Sequence, residues 1–362
     1  MNDEKKISGI QFASLAFISR IACAFTGMPN LRTNLPTSDR IAVFLIGLLF
    51  SLLLALPVLL FIEKENNRGL QNREKPCPSG IGRIILIFYA AFFVGTGILA
   101  VSRLGVFASG ILLQKNNLHL FTAILIIASA FCAERGLEPT ARVSVLLSAA
   151  VLGGLLFTGL CDVGKMKLEN LSQPFAGNIP IIVREAFFEA CMNVELPVLM
   201  LLAPQIKSEK KTHLLLWLPL CFLCISAAFA VAVAVAGHYA DLQVFPLHSL
   251  AVIAKTALFE RIDDLLASLW VSCTVLKTGI LLYAAYVAAR TAVPACKKRC
   301  FFILTGALVF GGYLLLTANI QLFANILQSA AVPVLFLFAT VFIPLFTCLK
   351  NGRKEHKEVA KQ

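Results

Sequence analysis

Apolar runs alternate with short polar breaks from one end of the chain to the other. That alternation predicts membrane-spanning helices, because a helix needs about 20 apolar residues to cross the hydrocarbon layer. Matching runs against breaks gives ten spans, near 8–29, 41–62, 84–113, 118–133, 141–161, 184–205, 214–237, 263–289, 301–323 and 330–349. No stretch between them is long enough for a separate soluble domain. The expectation is therefore one all-α transmembrane domain over 1–362, with a first half at about 8–161, a second at about 184–349 and a tail at 350–362.

Composition agrees, since 58% hydrophobic and 14% charged residues leave more apolar surface than a soluble domain of 362 residues can hide. The net charge of +12 does not point to nucleic acid, because the basic residues sit in clusters between apolar runs, such as Lys297, Lys298 and Arg299. With both termini cytoplasmic, 21 of the 32 Lys and Arg fall on the inner side, eight on the outer side and three in mid-span. The positive-inside rule thus favours an even number of spans with both ends inside. The short polar N-terminus lacks a small-residue cleavage site, so the first apolar run is expected to stay in the mature protein.

Ten spans divide into five and five, and because five is odd, a second copy of the first half would enter the membrane from the opposite side. This is the condition for an inverted repeat, here an expectation of geometry with no internal sequence identity behind it. The two halves share an interruption in their first span. In span 1 the segment 21–29 ends in Gly27, Met28 and Pro29, and the proline has no N–H for the carbonyl of Phe25. In span 6, Pro197 leaves the carbonyl of Asn193 without its helical donor. Paired interruptions of this kind point to a transporter's binding site. The plainer alternative is that Pro29 merely ends span 1 and Pro197 merely kinks span 6.

Five ionisable residues lie inside apolar runs: Arg20, Arg103, Glu189, Glu195 and Lys277. Each costs about 2.5–3.5 kcal/mol at a helix centre, so they should face the bundle interior and pair. Glu189 and Asn193 are four apart and should share one helix face. Lys277 is placed to pair with Glu195, to stand where a sodium ion would sit, to exchange a proton, or only to fix helix register. Arg103 either joins them or snorkels toward the outer surface. Arg20 needs a carboxylate partner or a watered path to the cytoplasm. Glu134, Arg135 and Glu138 sit between spans 4 and 5, where local ion pairing is expected.

No catalytic constellation emerges: none of the five histidines has HExxH spacing or stands beside a serine nucleophile, and phosphate-binding glycine loops are absent. Cys221 and Cys224 have CxxC spacing but lie in an apolar span with no second pair, which argues against a metal. The reading is a non-enzyme with no cofactor and no metal.

Three segments together resemble the spore germination permease family, the multispan B subunits of germinant receptors, within the amino acid/polyamine/organocation transporter superfamily. The first is Ile7-Ser8 with Gln11, followed by the segment at 21–29. The second is Glu134-Arg135-Gly136-Leu137-Glu138 with Ala141-Arg142-Val143. The third is Phe245-Pro246, then Phe259-Glu260-Arg261-Ile262-Asp263, Trp270 and Lys277. The resemblance implies a LeuT-like fold with a five-plus-five inverted repeat, interrupted spans 1 and 6, and a midplane site for an amino acid or similar nutrient. It implies ligand contacts from Ala22, Cys23, Ala24, Phe25, Thr26, Gly27, Asn193 and Glu195. Lys277, Glu189, Arg20 and Arg103 would serve in ion or proton coupling or as structural ion pairs.

The family commonly has glycines where this chain has Ala22 and Ala24, whose methyl groups would crowd a carboxylate approaching the backbone; Arg20 offers a charged donor instead. The resemblance further implies a germinant-receptor subunit in the inner spore membrane, partnered by A and C subunits, that signals germination on binding a nutrient. The alternative is a proton-coupled amino acid permease that moves its solute.

Overall fold

A backbone in hydrocarbon can satisfy its N–H and C=O groups only within its own helix or a closed barrel, so each apolar run winds into a helix. The computed structural model describes residues 6–26, 35–69, 80–111, 117–171, 178–207, 214–254 and 262–349. Its long helices are α1 (Gly9–Phe25), α2 (Thr37–Gly69), α3 (Ile81–Ile111), α4 (Leu118–Arg135) and α5 (Leu137–Asp162). Next come α6 (Ile179–Cys191) and α7 (Glu195–Leu202), the two halves of one broken span, and α8 (Trp217–Ala236). Short helices α9 (Tyr239–Leu242) and α10 (Pro246–Ile253) lead to α11 (Ile262–Ala292) and α12 (Lys298–Ala318). The chain closes with α13 (Ile320–Gln328) and α14 (Ala331–Leu337), the latter continuing through a π turn at Phe338–Phe342. Among the described residues, nine segments are long and apolar enough to cross a membrane, and α1 is a shorter apolar helix beside them.

Burial separates an inner set of helices from an outer one. The apolar windows of α6–α7 and of α11 are 67% buried, against 28% for α2 and for α12, whose Leu49, Leu53 and Leu315 face outward. An exposed leucine is the expected residue where lipid is the solvent. At the centre, α1 packs against α5, α7, α8 and α11, while α11 also packs on α3 and α4. Small residues let these helices approach closely. A Cβ on Gly279 would stand 3.2 Å from the Ser129 carbonyl oxygen, so α4 and α11 meet there almost backbone to backbone.

The start of α1 is pinned at both levels of structure. Ser8 caps it, with its hydroxyl accepting from the Gln11 N–H and the Gln11 side chain accepting from the Ser8 N–H, a reciprocal capping box. Ile7 and Ser8 also pair in parallel with Ile206 and Lys207 after α7, which sets the start of the first span beside the end of the sixth. Between α4 and α5, Gly136 has φ +101° and ψ −176°, a conformation open essentially only to glycine. Around it Glu138 pairs with Arg142, Arg135 lies 4.7 Å over the Phe131 ring, and Glu134 reaches Arg299 of α12 at 3.3 Å. The local pairing expected at this junction therefore holds for Glu138, whereas Glu134 binds a neighbouring helix.

Four expectations are corrected. The sixth span breaks at residues 192–194, upstream of Pro197, which sits in the first turn of α7 where a missing N–H costs little. The Asn193 carbonyl is not left bare, because the Leu196 N–H donates to it at 3.2 Å. Asn193 does not share a helix face with Glu189, because α6 ends at Cys191. The ninth span stops at Ala318, and Asn319 caps a separate helix, α13, by accepting from the Leu322 N–H at 3.0 Å.

Candidate functional site

Two neighbouring residues of α1 hold the two halves of the broken span. Arg20 reaches α6: its guanidinium donates to a Glu189 carboxylate oxygen at 2.9 Å and to the Glu189 carbonyl at 3.0 Å, with Phe222 below it at 5.3 Å. Ser19 reaches α7: its hydroxyl donates to Glu195 Oε1. Lys277 of α11 closes the second group, donating to Glu195 Oε1 at 2.9 Å, the Ser19 carbonyl at 2.9 Å and the Ser19 hydroxyl at 3.1 Å. The Lys277 and Glu195 side chains are 4% and 3% exposed, so bulk solvent screens this pair little. A buried pair is held only by good geometry and extra hydrogen bonds, and Ser19 supplies them.

The break itself follows from side-chain chemistry. Asn193 leaves the helix and donates its amide to the Ala190 carbonyl at 3.0 Å and to Ser51 of α2 at 2.7 Å. Its side chain thus occupies a carbonyl at the end of α6 and ties the break to a neighbouring helix. Glu195 begins α7, where the helix dipole favours a carboxylate. One oxygen of Glu195, the Asn193 side-chain oxygen and Arg20 Nε are buried with no protein hydrogen bond among the described residues. Buried polar atoms without protein partners are costly, and of these three residues Arg20 is the one on the cavity wall, where a polar guest or water could meet it.

A cavity of about 100 Å³ opens at this point. At about 10–15 Å³ per water it holds several waters or a small solute in their place. Arg20, Cys23 and Ala24 line it from α1, Arg103 from α3, Glu189 from α6 and Lys277 from α11; the break contributes Met192 and Val194. Six of the residues singled out from sequence therefore converge here. Glu195 stands behind Lys277 rather than on the wall, as does Asn193 behind its neighbours.

The remaining predicted positions are placed differently. Ala22, Cys23, Ala24 and Phe25 are still helical, so α1 presents their side chains rather than an opened backbone. Thr26 caps α1, with its hydroxyl and its N–H both donating to the Ala22 carbonyl, at 2.7 and 3.3 Å. Phe25 stacks on Trp270 at 4.6 Å, in an aromatic group with Phe107 and His248, and borders a separate apolar cavity of about 430 Å³. Gly27, Met28 and Pro29 lie outside the described residues, as do Phe259, Glu260 and Arg261.

Sequence reasoning missed Ser19, Arg40 and Ser51. A lone serine in an apolar run normally bonds its own helix, so nothing marks Ser19 as a bridge between helices. A second span starting near 41 leaves Arg40 just outside it, yet α2 begins at Thr37 and buries it beside the cavity. The adjacent Asp39-Arg40 at the head of an apolar run was the available signal.

Among the described residues no cluster of His, Cys, Asp or Glu could hold a metal ion. Cys221 instead packs as a small core residue with its thiol 3.4 Å from the Phe17 carbonyl. Among curated proteins, no relative matches the chain. A family model described as spore germination protein, of the spore permease type, matches residues 6–321. That match takes in the α1 cap, the broken span, the Gly136 junction and the Lys277 helix, and it identifies a permease-type family rather than an enzyme. The chain belongs to the spore germination permease family.

Proposed function

We propose that this chain is the permease-like subunit of a germinant receptor, binding a small nutrient such as an amino acid in the cavity at the span 6 break. The observation that carries this reading is the junction of Ser19, Arg20, Glu189, Glu195 and Lys277. It ties α1, both halves of the broken span and α11 together around one cavity that carries charged groups on its wall. A solute that binds one arrangement of these helices better than another shifts their populations, and A and C subunits would read that shift. The family match supports the germination context. The pairing of the first span's start with the sixth span's end is compatible with two spans of opposed direction, as a LeuT-like inverted repeat with both termini cytoplasmic requires.

The buried Lys277–Glu195 pair also suits a second reading, a proton-coupled amino acid permease, because two ionisable groups in contact can relay a proton. Purified protein in detergent, screened against an amino acid panel by thermal unfolding, tests the shared claim of binding. Stabilisation that is lost in Glu195→Gln supports it; no stabilisation by any amino acid opposes it. Uptake of the stabilising compound into proteoliposomes would favour the permease.

A further inference from the structure

The charge on the cavity wall is lopsided. Among the described residues Arg20, Arg40, Arg103 and Lys277 line it, and Glu189 is the carboxylate that faces them. Arg20 is committed to Glu189 and Lys277 to Glu195, and Arg40 has interactions of its own. Arg103 differs from all three. It is half-buried on α3, two turns from Thr96 on the same cavity-lining face, and no acidic group among the described residues stands within ion-pair distance of it.

A guanidinium at membrane depth without a counter-charge is unfavourable, and the partner it fits best is a planar oxyanion that accepts two parallel N–H bonds. Among the described wall residues a cationic solute would meet four positive groups against one engaged carboxylate, with Glu195 behind the wall offsetting Lys277, and a zwitterion would have to place its ammonium among them.

Resting on the binding reading above, we infer that the ligand is a small organic anion, a carboxylate bearing net negative charge, with Arg103 as its binding residue. The juxtaposition that points to it is Arg103, with no acidic partner among the described residues, on the wall of a cavity whose described acid, Glu189, is already engaged by Arg20.

The test is thermal unfolding of the full chain in mild detergent with succinate, L-aspartate, L-alanine, L-lysine and inorganic phosphate, at matched ionic strength. Succinate or L-aspartate should stabilise the protein, and L-alanine and L-lysine should not. Arg103→Gln should weaken the anion's binding about tenfold or more, the loss expected for charge-assisted hydrogen bonds, while Arg103→Lys retains part of it. Both variants should unfold cooperatively near the wild-type temperature without ligand. Three results would overturn the inference: stabilisation by L-alanine alone, equal stabilisation by phosphate, or unchanged anion binding in a folded Arg103→Gln. The first would leave the nutrient-binding reading standing. Stabilisation by none of the five compounds would overturn the inference and count against that reading as well.

Discussion

Replacing Lys277 by Met removes a positive charge and keeps most of the side-chain volume. In the native protein Lys277 Nζ lies 2.9 Å from Glu195 Oε1, and the carboxylate has one other hydrogen bond, from Ser19. The variant leaves that carboxylate almost wholly buried with the Ser19 hydroxyl as its last partner. Removing one member of a buried ion pair costs about 3–5 kcal/mol, because the other charge is then uncompensated. Neutralising both members should recover much of that loss, since a buried pair and its neutral replacement are often similar in stability. Lys277→Met should therefore be destabilised by about 3–5 kcal/mol, and adding Glu195→Gln should restore at least about half of it. Chemical unfolding in mild detergent reads this through Trp217 and Trp270, the two tryptophans of the chain, both buried. In spores, the single variant should lose nutrient response to a greater degree than it loses membrane abundance. A Lys277→Met within about 1 kcal/mol of wild type, or a double variant no better than the single, would refute a charged pair at this junction.

Arg20→Gln should loosen α1 from α6 and raise the reactivity of Cys23 toward a soluble thiol reagent, because the 2.9 Å bond to Glu189 ties α1 to α6 on the wall that Cys23 shares; unchanged reactivity would oppose this role. Gly136→Ala should cost about 1–3 kcal/mol through its backbone conformation alone and leave ligand affinity unaltered, measured by unfolding and binding on one preparation. His248 lies on α10, outside the spans. Burial against Phe107 and Trp270 pushes its pKa below the ordinary histidine value, with Asp263 and Asp264 opposing in part. The unfolded chain therefore takes up that proton first as pH falls. The contribution of a neutral His248 is complete above about pH 6.5 and declines below it, and His248→Phe should flatten the stability profile below about pH 6.5.

The spans and the buried charges were legible because each follows from a strong one-dimensional signal, hydrophobic length or an ion too costly to leave alone in lipid, whereas pairing with Glu195 was only one of several roles open to Lys277. Partners across helices were less so. Periodicity states which face Arg20 occupies but not that Glu189 lies opposite it, since that depends on how α1 and α6 cross. The break was sensed through Pro197 yet falls at residues 192–194, where the Asn193 amide takes the Ala190 carbonyl and Ser51, while Pro197 sits in the first turn of α7. Ser19 and Ser51 were invisible because a hydroxyl has local alternatives that sequence cannot exclude. Arg40 was lost to a helix boundary shifted by four residues, from 41 to Thr37.

Ligand protection of Cys23 tests the central claim most directly, because this thiol lines the proposed site while Cys300 lies exposed at the start of α12 and serves as an internal control. Alkylation of the full chain in detergent, quantified for each cysteine by peptide mass spectrometry, should slow at Cys23 and stay constant at Cys300 when a stabilising solute is added. Equal alkylation of Cys23 with and without that solute would place the solute elsewhere and contradict a site at the span 6 break.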